Sequence, residues 1–408
     1  MGSTQPEIPT LPEGAARLRV APSRYVYRTP LKRAAAAALD AAGDLALASR
    51  PWPVDWARVD RVAVLRLDHL GDLLHALPAL RRLRRALPHA SLDLWTGPWG
   101  AGLAALFADA GAVRVAEAPW FGRPRREGWP WPEIRALADG LRSGAYGAAF
   151  ELRGELRHLL ALARSGVPVR AGQAVTAGGF LLTHPARFIS GLHEQDQSLS
   201  LLDQAGVPAA AQGSEPYLRI PAPARERARA LARQLKLGPS PLLVQAASGT
   251  QAKRWPAESW AAVLRGLPRG LPVALLGSED EASEMRAIAR AAGRPVAVAA
   301  GRLDLAALAA LLGTARLLLS VDSGPAHLAA VQGTPVLSLF SGTNEPARWA
   351  PRGPRVRVLR AGGFPCAPCE LTDCPYSNAC MRAISPREVL DAAAAMLAQA
   401  RPTKRDRA

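Results

Sequence analysis

Residues 61–80 read RVAVLRLDHLGDLLHALPAL, and this stretch decides the fold. Arg61 to Leu67 is an apolar run of strand length, DHLGD makes a polar turn, and LLHALPALRRLRRAL continues at helical spacing. SLDLWTG, residues 91–97, follows as a second strand. The order then recurs, with GAAFELRG (147–154) as a strand and ELRHLLALARSG (155–166) as a helix. Strand and helix in alternation predict a parallel sheet covered on both faces.

The second half repeats the pattern. PLLVQAA (241–247), LPVALLG (271–277), RLLLSVD (316–322) and TPVLSLF (334–340) read as strands. AESWAAVLRGL (257–267) and GPAHLAAVQG (324–333) read as helices, with Pro256 suited to a first helical turn. Ser278 and Glu281 stand at capping-box spacing. Between the halves lies EPYLRIPAPARERARALARQLKLGPS (215–240), whose proline-broken start marks the boundary. The expected organisation is an extension over 1–57, an N-terminal domain over 58–215, a C-terminal domain over 216–395 and a basic tail over 396–408. The extension contains one helical run, Leu31 to Ala48, that either docks on the body or stays weakly ordered. The fold class is α/β, two Rossmann-like domains facing each other across a cleft.

The 408 residues suffice for two cores. The net charge of +17 points to a polyanionic partner: nucleic acid, an anionic membrane surface or a phosphorylated substrate, against the alternative of solubilising arginine. Arg81, Arg82, Arg84 and Arg85 could meet acceptor phosphates or anionic lipid, or simply face solvent. Nothing resembles a nucleic-acid-binding motif, so nucleic acid is not the expected partner. No stretch approaches the ~20 apolar residues of a membrane span, and MGSTQPEIPTLPEGAARLRV has no apolar signal core. A cytoplasmic location is expected, with contact at the cytoplasmic face of the inner membrane as a further possibility.

Three segments could carry chemistry. In LRLDHLGD, Gly71 and Asp72 sit where a strand gives way to a helix, at the sheet edge where open α/β folds place ligands. A carboxylate there could accept a proton from a sugar hydroxyl; alternatively Asp68 and Asp72 only cap the helix. His75, one turn on, reads as an ordinary helix residue. In QAASGTQAKRWP, Ser248, Gly249 and Thr250 can hydrogen-bond phosphate while Lys253 supplies charge. That set suits a diphosphate leaving group, whose charge grows as the glycosidic bond breaks. In SVDSGPAH, Asp322 ends a strand, Ser323, Gly324 and Pro325 turn the chain, and a helix begins near His327. Gly342, Thr343 and Asn344 form a further polar turn.

No G-x-G-x-x-G follows a strand and no P-loop occurs, which weakens oxidoreductase and NTPase readings. No set of Asp, Glu and His stands at metal-ligand spacing, so no metal and no obligatory cofactor is expected at the reaction centre. Cys366, Cys369, Cys374 and Cys380 fall in one short segment; four thiolates could hold zinc, but the spacing only partly fits paired knuckles.

VLRLDHLGDLLHALPALRRLRRALPHASLDLW, SGTQAKRWPAESW, VDSGPAHLAAVQGTPVLSLFSGTNEPARW and the cysteine-rich tail resemble, in order, glycosyltransferase family 9, the ADP-heptose:lipopolysaccharide heptosyltransferases. The resemblance runs from about residue 60 to 395. It implies a GT-B fold with the acceptor on the first domain and the donor on the second. It further implies inversion at the anomeric carbon without an obligatory metal, with ADP-heptose as donor and an anionic glycolipid, a lipopolysaccharide inner core or related molecule, as acceptor. By resemblance Asp72 is the catalytic aspartate. Ser248, Gly249, Lys253, Asp322, Ser323, Gly324 and His327 bind the donor, and Glu279 sits where relatives contact the nucleoside. Gln245-Ala246-Ala247 departs from the H-P-G or H-A of many relatives, and the N-terminal extension is longer than usual. Transfer of another activated sugar, or a non-catalytic sugar-nucleotide-binding protein, are the competing readings.

Overall fold

The computed structural model describes residues 25–27, 29–47, 51–121 and 129–399. The chain divides into two compact units, Ala21–Arg219 and Ile220–Ala408. The division falls slightly after the proline-broken start read from sequence because Tyr217 and Arg219 are still tied to the first unit. The Ala108 amide donates to the Tyr217 carbonyl at 2.8 Å, and the Arg219 amide to that of Leu106 at 2.7 Å. The basic tail lies, from residue 400, outside the described residues.

Among the described residues each unit holds one sheet of six parallel strands. In the N-terminal unit these are β1 (Arg61–Leu65), β2 (Ser91–Thr96), β3 (Val113–Val115), β4 (Ala148–Glu151), β5 (Val169–Gln173) and β6 (His184–Ala186). Their spatial order is β3-β2-β1-β4-β5-β6. The chain starts at the centre, winds outward to β3, returns to the other side of β1 and winds outward again. The C-terminal unit does the same with β7 (Leu242–Gln245), β8 (Val273–Leu276), β9 (Ala297–Val298), β10 (Leu317–Val321), β11 (Val336–Leu339) and β12 (Val356–Leu359). Its order is β12-β11-β10-β7-β8-β9. This is the doubly wound order of a Rossmann fold. The winding reverses between β1 and β4 in one unit and between β7 and β10 in the other. At such a reversal the outgoing loops diverge and leave a crevice at the strands' carboxyl ends.

The central strands explain the continuous apolar runs. β7 and β10 are buried along their whole length, and β1 is buried beyond Arg61, as strands covered by helices on both faces require. In the C-terminal core Trp255 packs edge-on to Trp260 at 4.9 Å. The Glu281 carboxylate accepts from the Ser278 amide at 2.9 Å, the half of the capping box that the spacing anticipates.

Two local readings are corrected. The helix expected as one run from residue 73 is two, Leu70–His75 and Leu77–Ala86, joined at Ala76. Pro78 is the cause, since it has no amide to donate and its ring clashes with the carbonyl four residues back. Of the arginines that follow, Arg81 and Arg82 are buried, while Arg84 and Arg85 are part-exposed, and all four have protein partners. Arg81 pairs with Asp109 at 3.0 Å, donates to the carbonyls of Glu215 and Pro216, and lies over the Tyr217 ring at 3.8 Å. Arg82 pairs with Asp203 and donates to the Val207 carbonyl. Arg84 and Arg85 likewise donate to the carbonyls of Ala90 and Ala211. Arg81, Arg82 and Arg85 thus hold the segment from Asp203 to Pro216 against the helix, while Arg84 ties it to Ala90 and Asp109.

The helical run of the extension, Pro30–Leu47, is docked. Asp40 accepts from the amides of Gly178 and Gly179 at 2.6 and 3.2 Å and from the Tyr25 hydroxyl at 2.7 Å. Gly43 faces Phe180 so closely that a side-chain carbon there would overlap the ring. Among the described residues no helix is long and apolar enough to cross a membrane.

Candidate active site

Each unit concentrates charge at its own winding reversal. In the C-terminal unit, the loop leaving β7 carries Lys253 and the loop leaving β10 carries Asp322. The Lys253 ammonium lies 2.6 Å from Asp322 Oδ2. Asn344 Nδ2 donates to the same oxygen at 2.9 Å, and His327 Nε2 stands 3.9 Å from the other. Asp322 therefore joins three of the loops and turns that the sequence singles out. Burial by itself would raise its carboxyl, but the adjacent Lys253 charge and the His327 contact outweigh that and hold it at about 2.

That depression makes a prediction. A carboxyl lowered in the folded state contributes stability above its unfolded value of 3.8, and loses it as pH falls from about 4 to about 2. A shift of this size is worth about 2 kcal/mol. Asp322→Asn is expected to flatten the loss of stability across that window, measured by denaturant unfolding at successive pH values. A pH profile parallel to the parent's would contradict the assignment.

Around this ion pair the loop is tightly determined. Gln245 Nε2 donates to the Ala247 carbonyl at 2.9 Å, so the residue that departs from the family pattern folds back onto its own loop. Ser248 Oγ accepts from the Thr250 amide at 3.3 Å, and the Ser248 carbonyl accepts from Arg254 Nε at 3.0 Å. Ser323 precedes the helix Gly324–Val331 without a side-chain cap bond and is joined instead to Ser320 at 2.9 Å. The first turn of that helix keeps its amides clear of a capping side chain, an arrangement suited to an anion. Glu279 is exposed at the end of β8 and has no ion pair to this group among the described residues.

In the N-terminal unit the loops leaving β1 and β4 bring together a network the sequence only partly revealed. Arg66 is fully buried. Its Nε lies 2.8 Å from Asp68, and its Nη2 lies 3.6 Å from both Asp72 and Glu194. Its Nη1 donates to the Leu152 carbonyl at 2.6 Å. Arg153, just past β4, reaches Asp68 Oδ2 at 3.2 Å. His69 stands 3.5 Å from Asp72. Asp68 is thus no helix cap: His69 occupies that position and makes no cap bond, while Asp68 is held between two guanidinium groups. His75 is buried, edge-on to His193 at 5.1 Å.

The two aspartates differ in what they offer. The Asp68 side chain is 1% exposed and that of Asp72 is 18% exposed, so a substrate hydroxyl can reach only the second. Burial works against the Asp72 charge, but the His69 contact and the Arg66 and Arg153 charges prevail and hold it well below the usual carboxylate range. Asp72 is ionised in the first turn of a helix, with its nearest cations at loose distances. Arg66, Arg153 and Glu194 were not singled out from sequence. The arginines are lost among many, and Glu194 comes from a helix distant in sequence.

With this geometry in hand, comparison with known proteins identifies the fold and the family. The sequence profile of glycosyltransferase family 9 (heptosyltransferase) matches residues 134–380, more than half of the chain. The chain belongs to glycosyltransferase family 9. Lys253, Asp322, His327 and Asn344 lie within the matched residues and Asp72 lies before them. Lipopolysaccharide heptosyltransferase 1 of Pseudomonas aeruginosa is 29% identical over 333 residues, covering 78% of this chain and 88% of that protein. A solved glycosyl transferase family 9 structure from Veillonella parvula superposes with a TM-score of 0.70 at 20% identity, covering 85% of this chain and 99% of that one. Escherichia coli heptosyltransferase WaaC, solved with ADP-2-deoxy-2-fluoro heptose, superposes with a TM-score of 0.61 at 20% identity, covering 82% and 99%. The family 9 chain described here is a glycosyltransferase of the GT-B fold, built from two Rossmann-like units.

Proposed function

We propose that the protein transfers a heptose from ADP-heptose, with inversion at the anomeric carbon, to the inner core of lipopolysaccharide or a related cell-envelope glycolipid. The observation that carries this reading is the Lys253–Asp322 ion pair at the β7/β10 reversal, beside the helix Gly324–Val331. A nucleoside diphosphate needs fixed positive charge and a helix start without a capping side chain, and these residues supply both. The named specificities of the Pseudomonas relative and of WaaC support heptose and ADP.

In the proposed reaction the Asp72 carboxylate takes the proton of the acceptor hydroxyl. The hydroxyl oxygen forms a bond to the anomeric carbon, and the bond from that carbon to the β-phosphate oxygen breaks. The electron pair leaves on the diphosphate, where Lys253 and the helix amides meet the growing charge. Ser248, Gly249, Ser323, Gly324 and His327 complete the donor site, and Glu279 faces the nucleoside. No divalent ion is required in this scheme, because Lys253 and the helix terminus provide the charge.

The acceptor brings its own phosphates and a lipid anchor, so the enzyme works at the cytoplasmic face of the inner membrane. Support comes from the exposed apolar side chains of the N-terminal unit: Leu31, Leu45, and Trp129 and Trp131, the last two stacked at 5.5 Å. Thermal unfolding with a ligand panel is a direct test of the donor. ADP and ADP-heptose are expected to raise Tm by several degrees at saturation, and UDP and GDP sugars by less. Preference for a UDP sugar would sink the heptose assignment and favour another activated sugar.

A further inference from the structure

The cysteine-bearing tail of the C-terminal unit remains to be explained. Its four thiols are free and line one small cavity with Phe364 and Leu371. Burial pushes the Cys369 thiol up to about 11 and raises Cys366 and Cys380, and no group of residues there is placed to hold a metal ion among the described residues. The backbone around these cysteines is where the structure is informative.

That backbone grips both turns flanking Asp322. On one side the Cys369 amide donates to the Gly342 carbonyl and the Glu370 amide to the Thr343 carbonyl, each at 3.0 Å. The Gly342 amide donates to Cys380 Sγ at 3.1 Å. These bonds fix the turn that presents Asn344. On the other side the Ala252 amide donates to the Thr372 carbonyl at 2.9 Å, and the Cys374 amide to Gln251 Oε1 at 3.1 Å. Asn378 completes this side. Its Nδ2 donates to the Gln251 carbonyl at 2.8 Å and to the Arg254 carbonyl at 3.0 Å.

Those two carbonyls bracket the short 3-10 turn Gln251–Lys253. Only the amide NH2 can satisfy both, so chemistry fixes how the side chain is turned. Asn378 starts the helix Ala379–Arg382 yet gives it no side-chain cap bond, and its Oδ1 is buried without a partner among the described residues. An unpaired buried acceptor is costly, so neither capping nor packing accounts for an asparagine here. Its φ of +55° is one that asparagine and glycine tolerate better than other residues.

We infer that Asn378 is a positioning residue that, by clipping the two ends of the Gln251–Lys253 turn, holds the Lys253 ammonium where the donor diphosphate binds. The inference rests on the proposed reading of Lys253 as the diphosphate cation. It extends the donor site to a residue that does not touch the donor.

Asn378→Gly removes the clip while keeping the backbone conformation accessible. The probe is ADP, with dissociation constants measured by calorimetry on the full chain and KM measured for ADP-heptose and for acceptor. Asn378→Gly is expected to weaken ADP binding about tenfold, as the loss of two hydrogen bonds implies. The KM for ADP-heptose should rise in parallel, with the acceptor KM unchanged. In a Lys253→Ala background the same substitution should change ADP binding no further. If Lys253→Ala weakens ADP binding and Asn378→Gly alone does not, the clip is wrong and the Lys253 reading stands. Equal weakening by Asn378→Gly in both backgrounds also overturns the clip. If Lys253→Ala binds ADP as the parent does, the Lys253 reading fails and this inference with it. Should Asn378→Gly not fold, Asn378→Asp keeps the side chain's shape but presents an oxygen where the NH2 donates to the Gln251 and Arg254 carbonyls, and must weaken ADP binding about tenfold; parent-like binding would overturn the inference.

Discussion

Replacing Asp72 with asparagine is expected to lower the rate of transfer by about 10²- to 10⁴-fold, the range over which a positioned general base contributes, while ADP binding stays within about twofold of the parent. The substitution preserves shape, so it isolates basicity. Arg66 keeps its contacts with Asp68, Glu194 and the Leu152 carbonyl, so the network that shapes the loop persists. The low proton affinity of Asp72 does not disqualify it. The acceptor hydroxyl becomes acidic as its oxygen bonds to the anomeric carbon, and a base already ionised need only receive the proton at that stage. The rate should accordingly be insensitive to Asp72 protonation across neutral pH. Turnover at parental rates in the asparagine variant would reject this role.

The second large effect is expected at Lys253. Lys253→Met keeps the unbranched apolar stem and removes the charged end, and ADP binding should weaken by about 10- to 100-fold, the worth of one or two charge-assisted hydrogen bonds. The substitution also leaves Asp322 buried beside Asn344 without its nearest cation, so stability should fall and the Asp322 carboxyl should rise. Stability and binding can be separated. In Lys253→Met with Asp322→Asn the unpaired charge is gone, and denaturant unfolding should recover most of the lost stability while ADP binding stays weak. Recovery of ADP binding in the double variant would mean that Lys253 serves the fold and not the donor.

How much of this was legible beforehand depends on how local the signal is. Asp72, Lys253 and Asp322 each stand just past an apolar run that reads as a central strand, so the topology could be inferred and the residues placed at its carboxyl edge. The doubly wound order then joins Lys253 to Asp322, which are far apart in sequence. Edge strands such as β3, β6 and β9 are two or three residues long, too short for any alternation to show. The arginines misled for a different reason. Arg81 and Arg82 carry the composition of a basic surface, yet tertiary partners more than a hundred residues away make Arg82 a structural clamp. Arg66 and Asn378 were invisible for the same reason: their roles are set by carbonyls and carboxylates supplied by other segments.

Product analysis decides whether the chain transfers heptose from ADP-heptose. The purified chain is incubated with ADP-heptose and a heptose-deficient lipopolysaccharide inner core, and the acceptor is examined by mass spectrometry and NMR. A mass gain of one heptose, release of ADP and an inverted anomeric configuration are expected, with product formation lost in Asp72→Asn. A parental enzyme that binds ADP-heptose yet gives no product with any such acceptor, or that gives product with retained configuration, would contradict the proposed reaction.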